Sequence, residues 1–84
     1  MNYSVSIKQS ALKALKSIAH GDRLRIIKAI DQLKKNPAAG GALKGEYAGL
    51  RRIRIGSYRV VYEVHDEQLV ILVIRIGHRR EVYR

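Results

Sequence analysis

The sequence predicts an α+β fold in one domain, residues 1–84, with an N-terminal strand and a helical hairpin packed on a small, mainly antiparallel sheet. Three observations support this prediction. The chain has 84 residues, which suffice for one hydrophobic core. Its first half carries apolar residues at helical spacing, and its second half carries strand-forming runs separated by short turns. With 46% hydrophobic and 29% charged residues, the composition is that of a folded protein rather than a disordered one.

The first half of the chain predicts one strand and two helices. Tyr3–Ile7 alternates apolar and polar residues, as a half-buried strand does. The first helix is expected over residues 9–20, with Gly21 in the left-handed conformation at its end. Asp22 then caps a second helix over residues 22–36, which Pro37 ends because it lacks a backbone N–H. The apolar spacing predicts the following helical core residues: Ala11, Leu12, Leu15, Ile18, Ala19, Leu24, Ile27, Ile30 and Leu33.

The second half of the chain predicts a loop followed by three strands. Residues 38–49 include four glycines and are expected to form a loop. Two strands, residues 50–55 and 58–64, are separated by Gly56 and Ser57, which is typical of a type II′ hairpin. Residues 69–76 are apolar at nearly every position, which predicts a central strand covered on both faces.

The turn at Gly56 and Ser57 also predicts which residues face each other. It sets Arg54 opposite Arg59 and Arg52 opposite Val61. The three arginines then share one side of the sheet, called here the arginine face, and the other side packs under the helices through Ile53, Ile55, Tyr58, Val60 and Tyr62. Like charges across a hairpin cost a few tenths to about 1 kcal/mol, which a bound anion would offset. The alternative is that these arginines are solvated side chains that keep the protein soluble.

Charge and composition narrow the classes of function. The formal net charge of +10 favours a polyanionic partner. Residues 50–84 carry eight arginines and no lysine, and a guanidinium group can bind phosphate through two parallel hydrogen bonds. The absence of cysteine and the scattered histidines predict no disulfide, metal or other cofactor. No apolar run is long enough for a membrane span and no signal peptide is recognisable, so we expect a cytoplasmic protein.

Three segments resemble the RelE family of the RelE/ParE toxin superfamily. They are Leu43-Lys44-Gly45, RRIRIGSYRVVY at 51–62 and IGHRREVY at 76–83, and the resemblance extends over essentially the whole chain. It implies a microbial-ribonuclease-like α+β fold and the toxin of a type II toxin–antitoxin pair. The implied activity is metal-independent cleavage of mRNA in the ribosomal A site, in which the ribose 2′-OH attacks the adjacent phosphate. The implied partner is a small, RelB-like antitoxin through which the complex binds promoter DNA.

The resemblance also implies the catalytic residues, which are Arg52, Arg54, Arg59, Arg79, Tyr83 and His78. Arg52 and Arg54 stand where the best-known family member has lysines, while Arg79 and Tyr83 match its C-terminal motif. Arginine is too weak an acid to exchange protons near neutral pH, so Tyr83 is the leading candidate for proton transfer. His78 is the second candidate, although it could instead fix the end of a strand. Alternation from Ile74 through Ile76 predicts that His78, rather than Arg79, lies on the arginine face.

Two other functions are compatible with a similar scaffold or charge. A ParE-like protein would inhibit DNA gyrase without cutting nucleic acid, but members of that branch generally lack the combination of Arg79, Tyr83 and the arginine face. A noncatalytic RNA-binding domain could use the same charge together with the tyrosines at positions 47, 58, 62 and 83.

Overall fold

The computed structural model describes residues 3–78, which form a five-stranded sheet and two α-helices. In chain order the elements are β1 (Ser4–Ile7), α1 (Gln9–Lys16), α2 (His20–Leu33), β2 (Gly41–Ala42), β3 (Arg51–Ile55), β4 (Tyr58–His65) and β5 (Val70–His78). The sheet order is β1-β5-β4-β3-β2; β1 runs parallel to β5, and the other neighbours are antiparallel. The predicted α+β fold with a mainly antiparallel sheet is confirmed. The helices of the described chain, with 8 and 14 residues, lack the length and apolar character of a bilayer crossing.

The boundary between the two helices differs from the prediction. α1 ends at Lys16 and α2 begins at His20, so both Gly21 and Asp22 lie inside the first turn of α2. Gly21 therefore does not end a helix in the left-handed region, and Asp22 is not the cap residue, a position that Ala19 occupies. Asp22 instead forms a 3.5 Å ion pair with Arg25, and its negative charge is favourable at the positive end of the helix dipole.

The buried stripe of α2 also differs from the predicted one. Ile26, Ile30 and Leu33 are buried, whereas Leu24 and Ile27 are 52% and 45% exposed. The core residues predicted for α2, which are Leu24, Ile27, Ile30 and Leu33, are spaced three residues apart, and each step of three residues falls about 60° short of a full turn of an α-helix. Steps of four and three residues hold one side toward the core. On α1 and the segment after it, Ala11, Leu15 and Ile18 are buried as predicted, while Leu12 and Ala19 are exposed.

The β3–β4 hairpin has the predicted register. Arg54 lies opposite Arg59 and Arg52 lies opposite Val61. Gly56 has φ +59°, and Ser57 is not among the residues with positive φ, so the turn has the sign pattern of type II′. The helix-facing side of β4, Val60 and Tyr62, is fully buried in the core.

The loop before β3 contains a short strand that the glycine-rich sequence did not predict. Gly41 and Ala42 pair with Arg52 and Arg51, which makes β2 the fifth strand of the sheet. Tyr62 holds the start of this loop: its hydroxyl donates a 2.7 Å hydrogen bond to the carbonyl of Pro37 and accepts a 3.0 Å bond from the N–H of Gly40. The guanidinium of Arg51 donates to the carbonyl of Gly40 at 2.7 Å, so both ends of Gly40 are fixed to the sheet.

A β-bulge interrupts the pairing of β4 with β5. Val61 faces Arg75 while the next residue, Tyr62, faces Val73, which leaves Ile74 as the extra residue. As a result Val73 and Ile76, three positions apart, are both buried on the helix side. β5 lies between β1 and β4 as expected of a central strand, but it is buried on one face only, because Val70, Leu72 and Ile74 remain half-buried.

We predict that Gly40→Ala destabilises the protein by about 1–3 kcal/mol, the usual cost of forcing extra volume into a packed site. A Cβ at Gly40 would lie 2.5 Å from the carbonyl oxygen of Arg52 and 2.6 Å from the Tyr62 hydroxyl. Urea unfolding measures the effect. Gly41→Ala is the matched control, because no atom lies within 4 Å of a Cβ built there. Equal stability of the two variants would contradict the packing described for Gly40.

We also predict that Tyr62 makes stability decrease at alkaline pH. Burial raises the pKa of the Tyr62 hydroxyl above its ordinary 10.0, although the Gly40 N–H and the charge of Arg51 act in the opposite direction. The native state therefore keeps this proton to higher pH than the unfolded chain, and the stabilisation present below pH 10 is lost as pH rises. Unfolding free energies of the wild type and Tyr62→Phe should converge above about pH 10, and a constant difference would refute the assignment.

Candidate functional site

The arginine face is built on the hairpin of β3 and β4, on the side of the sheet away from the helices. Arg54 and Arg59 form one cross-strand pair, and Arg52 and Val61 form the next pair along the same face. The Cα atoms of such paired residues lie about 4.5–5.5 Å apart, so two guanidinium groups originate side by side. The predicted meeting of Arg52, Arg54 and Arg59 on one face is confirmed.

The three arginines differ in their exposure. Arg54 is exposed, Arg52 is half-buried, and Arg59 is buried with 9% of its surface exposed. A side chain that only keeps a protein soluble is expected to extend into water, and burying a charge costs free energy unless polar groups compensate it. The burial of Arg59 therefore argues against a purely solubilising role for this residue.

The bulge adds two further residues to the arginine face. Arg75 pairs with Val61 and is exposed, and Gly77 pairs with Arg59. Because cross-strand partners share a face, Arg75 lies on the other side of Val61 from Arg52, and no side chain rises from β5 beside Arg59. The sequence alone did not assign Arg75 to the site, since strict alternation from the buried Val73 directs residue 75 toward the core.

His78 does not lie on the arginine face, contrary to the alternation-based prediction. It pairs with Tyr58, which packs against the core on the helix side, and the two ring centroids are 6.0 Å apart in an edge-on arrangement. The reason is the bulge, which puts Ile76 into the core and therefore directs His78 to the same side. The role of His78 in proton transfer stays a prediction. Arg79 and Tyr83, the other residues predicted from the C-terminal motif, lie outside the described residues.

A second polar group lies farther along β4 on the arginine face. The imidazole Nε2 of His65 is 3.2 Å from a carboxylate oxygen of Glu63, and both side chains are partly exposed. Glu63 is four residues from Arg59, which along a strand corresponds to about 13 Å. Glu63 is thus farther from the turn than the Arg54–Arg59 pair and can offset only part of the charge of the arginine face. Across residues 3–78 no group of three or more histidine, aspartate or glutamate side chains is arranged to hold a metal ion.

Comparison with known proteins agrees with this architecture. The family of ParE toxins of type II toxin–antitoxin systems (parDE) matches residues 5–83. Toxin RelG of Mycobacterium tuberculosis is 29% identical over 86 residues, covering 100% of this chain and 99% of that protein. The toxin–antitoxin complex RelBE2 from M. tuberculosis superposes with a TM-score of 0.86 at 27% identity, over 94% of this chain and 100% of the matched chain. The archaeal RelE–RelB complex from Pyrococcus horikoshii OT3 gives 0.80 at 31% identity, over 96% and 99%.

Two helices on a five-stranded mixed sheet, with arginines paired across a hairpin on the opposite face, define a small α+β protein with a cationic sheet surface. The chain belongs to the ParE toxin family, and its relatives identify it as a RelE-family toxin of a type II toxin–antitoxin system.

Proposed function

We propose that this toxin is a metal-independent endoribonuclease that cleaves mRNA in the ribosomal A site and thereby stops translation. The ribose 2′-OH attacks the adjacent phosphorus, the bond to the 5′-oxygen breaks, and the products are a 2′,3′-cyclic phosphate and a 5′-OH. The observation that carries the proposal is the cross-strand pair of Arg54 with Arg59, of which Arg59 is buried within the sheet. Two guanidinium groups on directly paired residues can bind one phosphate between them.

Transition-state stabilisation is the work that these arginines would do. Negative charge accumulates on the nonbridging oxygens of the phosphate as the 2′-oxygen attacks. Donors that are already fixed in position stabilise that charge without reorganising, and a β-strand supplies such fixation better than a loop. Arg59, buried on the central strand β4, would act as the most rigid donor, and Arg52 and Arg54 would approach the phosphate from β3.

Proton transfer needs a different side chain, because arginine stays protonated at neutral pH. Tyr83 is the proposed proton carrier, and Arg79 is a proposed additional phosphate ligand. His78 is the alternative carrier, because histidine is the side chain that most often transfers protons in catalysis. The pairing of His78 with Tyr58 on the helix side makes it the weaker candidate, since it would have to reach a phosphate around the end of β5.

The proposed regulator is a small antitoxin with an acidic toxin-binding segment. RelE structures similar to this chain come from toxin–antitoxin and RelE–RelB complexes. A net charge of +10 makes association with an acidic segment fast and salt-sensitive. We propose that the segment covers or displaces the arginine site, and that the complex binds promoter DNA through the antitoxin.

Inhibition of DNA gyrase is the second candidate function, because the matching family is named for ParE toxins. Expression of the toxin followed by mapping of RNA 3′ ends during growth arrest separates the two candidates. Ribonuclease activity predicts new 3′ ends within translated regions, bearing cyclic phosphates. Gyrase inhibition predicts intact mRNA and a loss of DNA supercoiling. A noncatalytic RNA-binding domain predicts neither change.

We predict that Arg54→Ala and Arg59→Ala each lower the rate of mRNA cleavage on ribosomes by about 10²–10³, the usual loss on removal of one fixed transition-state donor. Single-turnover cleavage of ribosome-bound mRNA measures the rate. Lys28→Ala, which removes an equal charge from the exposed side of α2, is the control and should cleave normally. Arg54→Ala should retain or gain stability, because it relieves like-charge repulsion across the hairpin. If a folded Arg54→Ala variant cleaves mRNA at the wild-type rate, Arg54 does not stabilise the transition state and has a structural role only.

We predict that Tyr83→Phe slows the chemical step by about 10²–10⁴ and leaves ribosome binding unchanged, because phenylalanine keeps the ring and loses only the hydroxyl. If Tyr83 only stacks on a base, the phenylalanine variant cleaves normally and Tyr83→Ala weakens binding by about 1–3 kcal/mol. His78→Ala is the matched variant. Normal single-turnover cleavage by Tyr83→Phe together with an inactive His78→Ala would make the histidine the proton carrier.

A further inference from the structure

The bulge in β5 directs one more arginine to the arginine face than alternation allows. With regular pairing after the buried Val73, residue 75 would face the core and residue 76 would face away from it. The extra residue Ile74 reverses this order, so that Arg75 is exposed and Ile76 is 5% exposed. Bulges occur preferentially beside functional sites, where they change the direction of a side chain.

Arg75 lies farther from the Arg54–Arg59 pair than Arg52 does, because it is two strands away from Arg54, about 10 Å across the sheet. It is one strand and two residues away from Arg59, which corresponds to about 5 Å across the sheet and about 7 Å along it. Val61 separates Arg75 from Arg52 in a continuous cross-strand row. The cationic surface therefore extends over three strands, β3, β4 and β5, which gives room for more than one phosphate.

A cavity of about 340 Å³ adjoins Arg75 at the edge of the sheet. β1 pairs with β5 only as far as Val73, so the edge of β5 beyond that residue is not covered by β1. Arg75, Ile76 and Gly77 line the cavity from β5. Lys8, which precedes α1, and Ser10 and Ala11 of its first turn line the opposite wall, so the cavity lies between α1 and this edge of β5. Its volume falls in the range of small-molecule binding sites, and it offers a second cation and a hydroxyl group beside Arg75.

We propose that Arg75 binds a second backbone phosphate of single-stranded RNA, next to the phosphate held between Arg54 and Arg59, and that the flanking nucleotide passes around the edge of β5 beyond Val73 into the cavity beside Lys8. This inference rests on the proposed function, which supplies RNA as the ligand. Arg75 then acts in substrate binding and is not a catalytic residue. The side chain of Arg75 is exposed, which suits a contact with the RNA that is equally strong in the ground state and in the transition state. Removal of such a contact raises KM and leaves kcat unchanged.

Binding of short 2′-O-methyl RNA oligonucleotides tests the inference, because the methyl group blocks 2′-OH attack and makes the result independent of cleavage. A dinucleotide has one phosphate and a tetranucleotide has three. Arg75→Ala should weaken tetranucleotide binding about tenfold and leave dinucleotide binding unchanged. The slope of log affinity against log salt for the tetranucleotide should decrease by about 0.7, the value for one phosphate contact on a single strand.

Two variants control for charge. Arg75→Lys should keep the salt slope, since the charge remains, and Lys28→Ala should match the wild type despite losing one charge. The inference is overturned if Arg75→Ala weakens the binding of both oligonucleotides equally, or if Arg75→Ala and Lys28→Ala bind the tetranucleotide equally well. It is also overturned if the wild-type protein binds neither oligonucleotide. If Arg75→Ala weakens binding to the acidic antitoxin and to neither oligonucleotide, the inference is also overturned, and Arg75 belongs to the antitoxin interface. If Arg75→Ala weakens the binding of the tetranucleotide but not of the dinucleotide, and the wild-type protein cuts no mRNA, the second phosphate site is supported and the nuclease activity is refuted.

Discussion

The positive φ of Gly56 is the constraint on which both faces of the sheet depend. A two-residue turn matches the twist of its strands only with φ values of this kind, and glycine adopts +59° without a Cβ clash. The turn fixes the register of β3 on β4. A slip of one residue would turn Arg59 toward the helices and Val60 away from them, because side chains alternate with a period of two. The hydrophobic core and the arginine face are thus two consequences of the same turn.

Strand β4 contributes residues to the hydrophobic core and to the arginine face at alternate positions. Val60 and Tyr62 are fully buried under the helices, while Arg59 and Val61 belong to the arginine face. The repulsion between paired arginines costs at most about 1 kcal/mol. Burial of a single large apolar side chain contributes about 1.5–3 kcal/mol, so the helix side of the strand more than offsets the cost on the other side. Tyr62 further ties β4 to the loop before β3 through the carbonyl of Pro37 and the N–H of Gly40.

The scaffold does not by itself identify the target of the toxin. One family name refers to ParE and the similar proteins are named for RelE, although the fold is shared. Function depends on the groups presented by such a scaffold rather than on its topology. In this chain those groups are arginines at three cross-strand positions of the hairpin and a fourth on β5. Arginine suits phosphate recognition and excludes proton transfer at the same positions, so in the proposed nuclease phosphate binding and acid–base chemistry would come from different side chains.

The sequence by itself determined the order of the main elements, the hairpin register and the grouping of Arg52, Arg54 and Arg59, because these follow from local rules: apolar period, turn length and the properties of glycine and proline. The tertiary structure decided features that depend on contacts between distant segments. The phase of α2, with Ile26 rather than Ile27 buried, follows from how the helix sits on the sheet. The bulge at Ile74 depends on pairing with β4, and it alone turns Arg75 toward the arginine face and His78 toward the helix side. No local sequence signal specifies a one-residue shift between strands, since its free energy comes from fitting Val73 and Ile76 into the same core.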